Sequence, residues 1–82
     1  MITSEQLRAA RALLQWEQKK LAAASKVSIA TIKRLEPLSG PLRANQVTVE
    51  ALRRALEIAG IEFIAENGGG PGVRLAKRIG SS

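Results

Sequence analysis

Hydrophobic residues in the first part of the chain recur at the three- and four-residue spacing of amphipathic helices. Thr3 and Gln6 have the spacing of a capping box, which predicts that a first helix begins there and continues to about Gln15. A second helix is predicted from Gln18 to Ser25. Ile2, before the cap, is expected to pack against Leu7 as a hydrophobic staple. The inward positions of these two helices are Leu7, Ala10, Leu14, Leu21 and Ala22.

A third helix is predicted from Ile29 to Glu36, with Ser28 as its N-cap and two different faces. On a helical wheel, Ile32 and Leu35 lie on one side and suit a core. The other side holds small, aliphatic and basic side chains without an acid, which is typical of an element that enters a DNA groove. Its residues are Ile29, Ala30, Lys33 and Arg34.

The pattern changes twice after the third helix. Prolines and glycines predict a loop of about ten residues, and Thr48 is then expected to cap a fourth helix that continues to Ala59. Alternating residues between Ile61 and Leu75 predict two short strands around a glycine-rich turn at 67–72.

Composition restricts the possible functions. The 82 residues contain no Cys, His or Tyr, and every acid is a Glu. The chain therefore lacks the residues for disulfides, for zinc sites of Cys or His, and for Ser-His-Asp or Cys nucleophiles, so we expect no catalysis, no metal site and no cofactor. No apolar run reaches the roughly 20 residues of a membrane span, and we expect a cytoplasmic protein that is associated with the nucleoid when bound to DNA.

Charge indicates the class of partner. Thirteen Lys and Arg against seven Glu give a formal net charge of +6, which favours nucleic acid or an acidic membrane surface. With one Trp and one Phe, the chain lacks the aromatic platforms on which RNA and single-strand binders stack bases. No helix face carries the aromatic and leucine cluster of a membrane anchor. Duplex DNA is therefore the favoured partner.

The segment from Gln18 to Glu36 reads QKKLAAASKVSIATIKRLE and contains two predicted helices joined by a very short link. It resembles the helix-turn-helix of the phage Cro and repressor family, also called the xenobiotic response element family. The matching positions are Gln18, Leu21, Ala22, Val27, Ser28, Thr31, Ile32, Leu35 and Glu36. The resemblance extends over 1–60 and implies a mainly α, λ-repressor-like domain of four to five helices, followed here by a short β-hairpin.

The resemblance implies that the third helix enters the major groove while the second crosses the backbone. Lys33 or Arg34 would then contact guanine, and Ile29 or Ala30 would offer an apolar contact, for instance to a thymine methyl group. The other residues implied at the DNA interface are Gln18, Lys19, Lys26, Ser28, Thr31, Ser39, Arg43, Asn45 and Gln46. Arg11 and Glu36 match positions at which the family often has an ion pair between the first and third helices.

Three features depart from the family pattern. Glu17 and Lys20 stand where the second helix usually has a capping box, so that box cannot form. Lys26 stands at the turn position where the family favours Gly, and a positive φ there would cost about 1 kcal/mol. Ile29 stands where many relatives have a polar base reader.

We therefore expect a sequence-specific DNA-binding regulator, most simply a repressor, that acts as a homodimer on two half-sites about one helical turn apart. Residues 1–60 would form the helix-turn-helix domain, 61–76 a dimerisation hairpin and 77–82 a flexible tail. The residues expected at the dimer interface are Ile61, Phe63, Ile64, Val73 and Leu75.

Two other functions stay open from the sequence. An antitoxin-like protein would bind its own promoter through the same helices and neutralise a second protein partner through the hairpin or tail. A structural adaptor would use the helices for protein contact alone, and it would not bind duplex DNA at physiological salt. A toxin-sized neighbouring reading frame would favour the antitoxin.

Overall fold

A computed structural model describes residues 2–76. In this range the chain forms four helices and one two-stranded antiparallel sheet, which confirms the mainly α architecture with a short C-terminal hairpin. The elements are α1 (Ser4–Leu14), α2 (Gln18–Ser25), α3 (Ile29–Leu35), α4 (Gln46–Ile58), β1 (Ile61–Ile64) and β2 (Gly72–Leu75). The predicted flexible tail, 77–82, lies outside the described residues. None of these helices has the length and apolar composition required to cross a bilayer.

Side-chain caps set where α1 and α4 begin. The Thr3 hydroxyl accepts the Gln6 N–H at 3.0 Å, and Gln6 Oε1 accepts the Thr3 N–H at 2.9 Å, so the predicted capping box of α1 is confirmed. The predicted start of α4 is wrong. Asn45 is the N-cap, because its side chain accepts the Thr48 N–H at 2.8 Å and the helix begins at the next residue.

One hydrophobic core joins all four helices, the loop before α4 and β1. Its members are Ile2, Leu7, Ala10, Leu21, Ile32, Leu35, Leu42, Val49, Leu52, Ala55, Leu56 and Ile61. Leu42 anchors the loop, since its side chain is buried and its N–H donates to the Ile2 carbonyl at 3.1 Å. Trp16 packs against this core from the side.

The hairpin is fixed to α1 by one buried amide. β1 and β2 pair with Ile61 opposite Leu75 and Ile64 opposite Gly72. Gln6 Nε2 donates to the Ile64 carbonyl at 3.1 Å and to the Gly72 carbonyl at 2.8 Å. The side chain that completes the α1 capping box therefore also holds the end of the hairpin.

The turn from α4 into β1 depends on Gly60. Its φ of 111° lies in a region that residues with a side chain rarely adopt, so glycine allows the chain to reverse without strain. The helix α4 ends at Ile58, one residue before the predicted end, with Ala59 as its C-cap, and Gly60 follows with the positive φ expected of a stop.

Replacing the Gln6 amide by a carboxylate is expected to loosen the hairpin. In Gln6→Glu, one oxygen still accepts the Thr3 N–H, but the other faces two carbonyl oxygens to which an ionised carboxylate cannot donate. We expect the free energy of unfolding at pH 7, measured by urea denaturation, to fall by about 1 to 3 kcal/mol.

The matched control is Gln46→Glu, at the exposed first residue of α4. A negative charge is favourable at a helix N-terminus, so stability should not fall. Unchanged stability in Gln6→Glu would show that the two hydrogen bonds do not hold the hairpin.

Candidate nucleic-acid interface

The turn between α2 and α3 is short and internally hydrogen-bonded. Lys26, the C-cap of α2, has a φ of 65°, and the positive φ expected from the sequence is confirmed. The buried Ser25 hydroxyl donates to the Leu21 carbonyl at 2.7 Å and accepts the Val27 N–H at 3.2 Å. The role of Ser25 was not predicted, and it gives the turn a fixed shape despite the left-handed lysine.

The first turn of α3 is closed by two hydroxyl groups. The Ser28 hydroxyl accepts the Thr31 N–H at 3.2 Å and donates to Thr31 Oγ1 at 2.9 Å. Ser28 is therefore the predicted N-cap. The Ser28 hydroxyl is exposed, so it can exchange its bond to Thr31 for a bond to an incoming acceptor.

The helix α3 has the two faces that the wheel predicts. Ile32 and Leu35 are fully buried. Ile29 is 39% exposed, and the remaining residues of the outer face are exposed as well: Ala30, Lys33 and Arg34. The helix ends at Leu35, one residue before the predicted end, and Glu36 is its C-cap.

The Glu36 side chain is buried where the first three helices meet. Arg11 binds its carboxylate in a bidentate manner, with Nε 2.7 Å from Oε2 and Nη2 2.8 Å from Oε1, so the expected ion pair is confirmed. These hydrogen bonds raise the pKa of Arg11 above its ordinary value. Arg8 adds a bond from Nη1 to the Glu36 carbonyl and another, of 2.8 Å, to the Leu38 carbonyl.

Gln18 is part of the same cluster. Its Nε2 donates to Glu36 Oε1 at 2.9 Å, so the side chain is held against the protein at the first residue of α2. One amide hydrogen is therefore engaged, while the other hydrogen and the oxygen have no partner among residues 2–76. A contact from Gln18 to DNA would use these remaining atoms.

Positive charge predominates on the α2–α3 unit, defined as 17–36, which has five cations and two carboxylates. None of the five cations forms an ion pair in the part of the chain that the structure describes: Lys19, Lys20, Lys26, Lys33 and Arg34. Of the two carboxylates in the unit, Glu36 is buried against Arg11, and Glu17 lies at the start of α2. In the hairpin, by contrast, Arg74 is paired with Glu62 at 2.8 Å. The unit is thus a source of positive potential.

The segment after α3 is less suited to DNA contact than the sequence predicts. Arg43 and Gln46 are exposed, and Asn45 uses its side-chain oxygen to cap α4. The Ser39 hydroxyl lies near the Glu5 carboxylate, whose pKa is lowered chiefly by the N–H of the glycine that follows Ser39. An ionised carboxylate repels phosphate, so a phosphate contact from Ser39 is not supported. None of the four residues that the sequence assigns to this region is hydrogen-bonded to α3 in residues 2–76, and Gln46 is the first residue of α4.

The residues predicted for the dimer interface differ in exposure. The prediction for Ile61 is wrong, because this side chain is 3% exposed and belongs to the protein's own core. Phe63 and Val73 are half-buried against that core, Ile64 is half-buried, and Leu75 is 43% exposed. The sequence did not single out Ile58, which is 80% exposed at the end of α4.

No protein-family model and no curated protein matches this sequence. The functional assignment therefore depends on the α2–α3 unit itself: its buried anchor, its exposed cations and its hydroxyl groups.

Removing the partner of the buried carboxylate is expected to be costly. Arg11→Met leaves Glu36 buried with only Gln18 as a side-chain partner, and we expect the free energy of unfolding to fall by about 2 to 4 kcal/mol. Arg54→Met is the control, because Arg54 is exposed and has no ion pair in the described range; its effect should stay within about 0.5 kcal/mol. Urea denaturation measures both. An equally small loss of stability in Arg11→Met and Arg54→Met would contradict an anchoring role for the ion pair between Arg11 and Glu36.

Proposed function

We propose that this protein is a sequence-specific regulator that binds duplex DNA through a λ-repressor-like helix-turn-helix. In this proposal α3 lies in the major groove and α2 crosses the DNA backbone. The observation that carries it is the division of α3: Ile32 and Leu35 are fully buried, while Lys33 and Arg34 are exposed without a described carboxylate partner.

Base recognition is assigned to the outer face of α3. The Arg34 guanidinium can bond to both O6 and N7 of guanine, a contact that discriminates against other bases by about 1 to 3 kcal/mol. Lys33 provides a second donor. Ile29 and Ala30 have no polar side-chain atom, so their contribution is apolar contact, for which the thymine methyl group is the complement in the major groove.

Phosphate contact is assigned to groups around the turn. Lys19 and Lys26 are exposed cations. The Ser28 hydroxyl becomes a donor to phosphate once its bond to Thr31 is exchanged, and the Thr31 hydroxyl, which accepts that bond, can donate its own proton. Gln18 contributes its remaining amide hydrogen. Such contacts position the protein on the duplex and add affinity without reading the sequence.

The regulator is proposed to act as a homodimer. One module of this size makes few base contacts, and two copies related by a two-fold axis read two half-sites about one helical turn apart. Repression by occupation of a promoter needs nothing beyond this binding.

The direct experiment is selection from a pool of random duplexes, followed by affinity measurements at several salt concentrations. We expect an enriched motif with two-fold symmetry, and log affinity that falls linearly with log salt by a slope of about −0.9 for each phosphate neutralised. No enrichment, or affinity that does not change with salt, would contradict the proposal and favour an adaptor that contacts only proteins.

Arg34→Ala is expected to remove sequence preference at one or two base pairs in each half-site. The matched control is Arg54→Ala, which removes the same charge from an exposed position on α4 and should leave the selected motif unchanged. Repeating the selection with both variants measures the effect. An Arg34→Ala protein with the wild-type motif would show that another residue reads those base pairs.

Lys26→Gly separates the backbone strain at this lysine from its proposed contact with phosphate. Lys26 and Gln15 are the two non-glycine residues with positive φ in the described range, at 65° and 57°. Glycine at either site should raise the free energy of unfolding by about 0.5 to 1 kcal/mol, because left-handed strain is removed.

Only Lys26→Gly should also weaken binding to the selected duplex, alike for all sequences, and reduce the magnitude of the salt slope by about 1. Gln15→Gly is the control for DNA affinity, since it makes the same kind of backbone change at the end of α1. Wild-type affinity and slope in Lys26→Gly would remove this lysine from the interface.

A further inference from the structure

The outer edge of β2 carries backbone groups without a partner. The Ala76 N–H donates to the Gly60 carbonyl at 2.6 Å, in line with the register that pairs Ile61 with Leu75. Hydrogen-bonded and non-hydrogen-bonded pairs alternate along an antiparallel ladder. The N–H and C=O groups of Val73 and Leu75 therefore point away from β1, and no hydrogen bond from another residue in 2–76 reaches them.

The last residues of β2 are exposed, whereas the first residue of β1, which faces this end of the strand, is buried. Leu75 is 43% exposed, whereas its cross-strand neighbour Ile61 is 3% exposed in the core. The strand contains no proline or lysine, which are common protections against pairing with another strand. Its one charge, Arg74, is neutralised by Glu62 through hydrogen bonds of 2.8 and 3.2 Å. A free, aliphatic and locally neutral edge is suited to a further strand.

We propose that β2 pairs antiparallel with β2 of a second copy, with the two-fold axis at Arg74, so that two hairpins form one continuous four-stranded sheet. The choice of a second copy as partner rests on the proposed function, because two half-sites require two copies. A second copy also suits the geometry of this edge, since two identical strands can pair antiparallel about a two-fold axis.

The register follows from the outward groups. With Arg74 on the axis, Val73 lies opposite Leu75 of the second copy, and both residues use their free N–H and C=O in a hydrogen-bonded pair. The exposed Leu75 side chain is covered by Val73 of the second copy. Moving the axis one residue towards the turn would place Pro71, which has no N–H, opposite Leu75.

The Arg74 side chains of the two copies face one another in this arrangement. Two like charges directly opposite would destabilise the pair. Each guanidinium, however, is bonded to Glu62 of its own hairpin, so the four charges sum to zero across the axis.

A single cysteine tests the register directly, because the chain contains no cysteine. Arg74 would form a non-hydrogen-bonded antiparallel pair with its equivalent, with Cα atoms about 4.5 Å apart, which is within the range for a disulfide. We expect Arg74→Cys to form a disulfide-linked dimer under mild oxidation at least tenfold faster than Ile58→Cys. Denaturant should abolish the difference. Non-reducing electrophoresis against time measures it.

Ile58→Cys is the matched control, since Ile58 is the more exposed position and lies close to the base of the same hairpin. Faster cross-linking of Ile58→Cys would overturn the proposal by placing a contact on α4. Equally slow disulfide formation in Arg74→Cys and Ile58→Cys would overturn the proposal as well.

The cysteine-free protein supplies an independent measurement. Sedimentation should give a dimer at micromolar concentration, and Leu75→Lys should give a folded monomer with unchanged helical circular dichroism. A wild-type monomer that binds the selected duplex would overturn the strand pairing and the homodimer, but it would leave the proposed binding of duplex DNA through α3 intact. A cross-linked Arg74→Cys dimer with no affinity for any duplex would overturn the proposed function but support the pairing.

Discussion

The buried carboxylate of Glu36 is the interaction on which the placement of α3 depends. Burial of a charge costs several kcal/mol unless it is paired and hydrogen-bonded, and here it is satisfied by Arg11 from α1 and by Gln18 from the first residue of α2. The three helices therefore cannot shift independently without exposing or isolating that charge. The same burial keeps the Glu36 carboxylate away from the outer face of α3, where Lys33 and Arg34 are exposed.

The rigidity of α3 is a property of the tertiary structure. A helix of seven residues is too short to be stable alone in water. Its shape depends on the Ser28 cap, on burial of Ile32 and Leu35, and on the bonds from Arg8 to the carbonyls that follow the last turn. Because this order exists before a ligand arrives, binding does not have to supply the entropy of ordering the helix. The turn adds to it, since the Ser25 hydroxyl fixes the chain at the point where Lys26 is strained.

Local signals were sufficient for much of this structure. The cap at Thr3, the cap at Ser28 and the two faces of α3 follow from side chains within one or two turns of each other, and all were predicted. The start of α4 was not, because Asn45 and Thr48 are both good caps and the loop before them is positioned by a distant bond between Leu42 and Ile2. Periodicity also shows that Ile61 faces one side of a strand. It does not show that this side packs against the helices, because that contact depends on how the hairpin folds back onto the core.

The helix α1 connects the hairpin to α3, and thus the β2 edge to the outer face of α3. Gln6, in its first turn, holds the end of the hairpin, and Arg11, in its last turn, holds the end of α3. These residues are about 7.5 Å apart along the helix axis, and both side chains make short, multiple hydrogen bonds. The distance from the β2 edge to the outer face of α3 is therefore set by a helix and not by a flexible linker. In a dimer paired through β2, such a connection would fix the separation of the two α3 helices, and a fixed separation is what restricts binding to half-sites of one spacing.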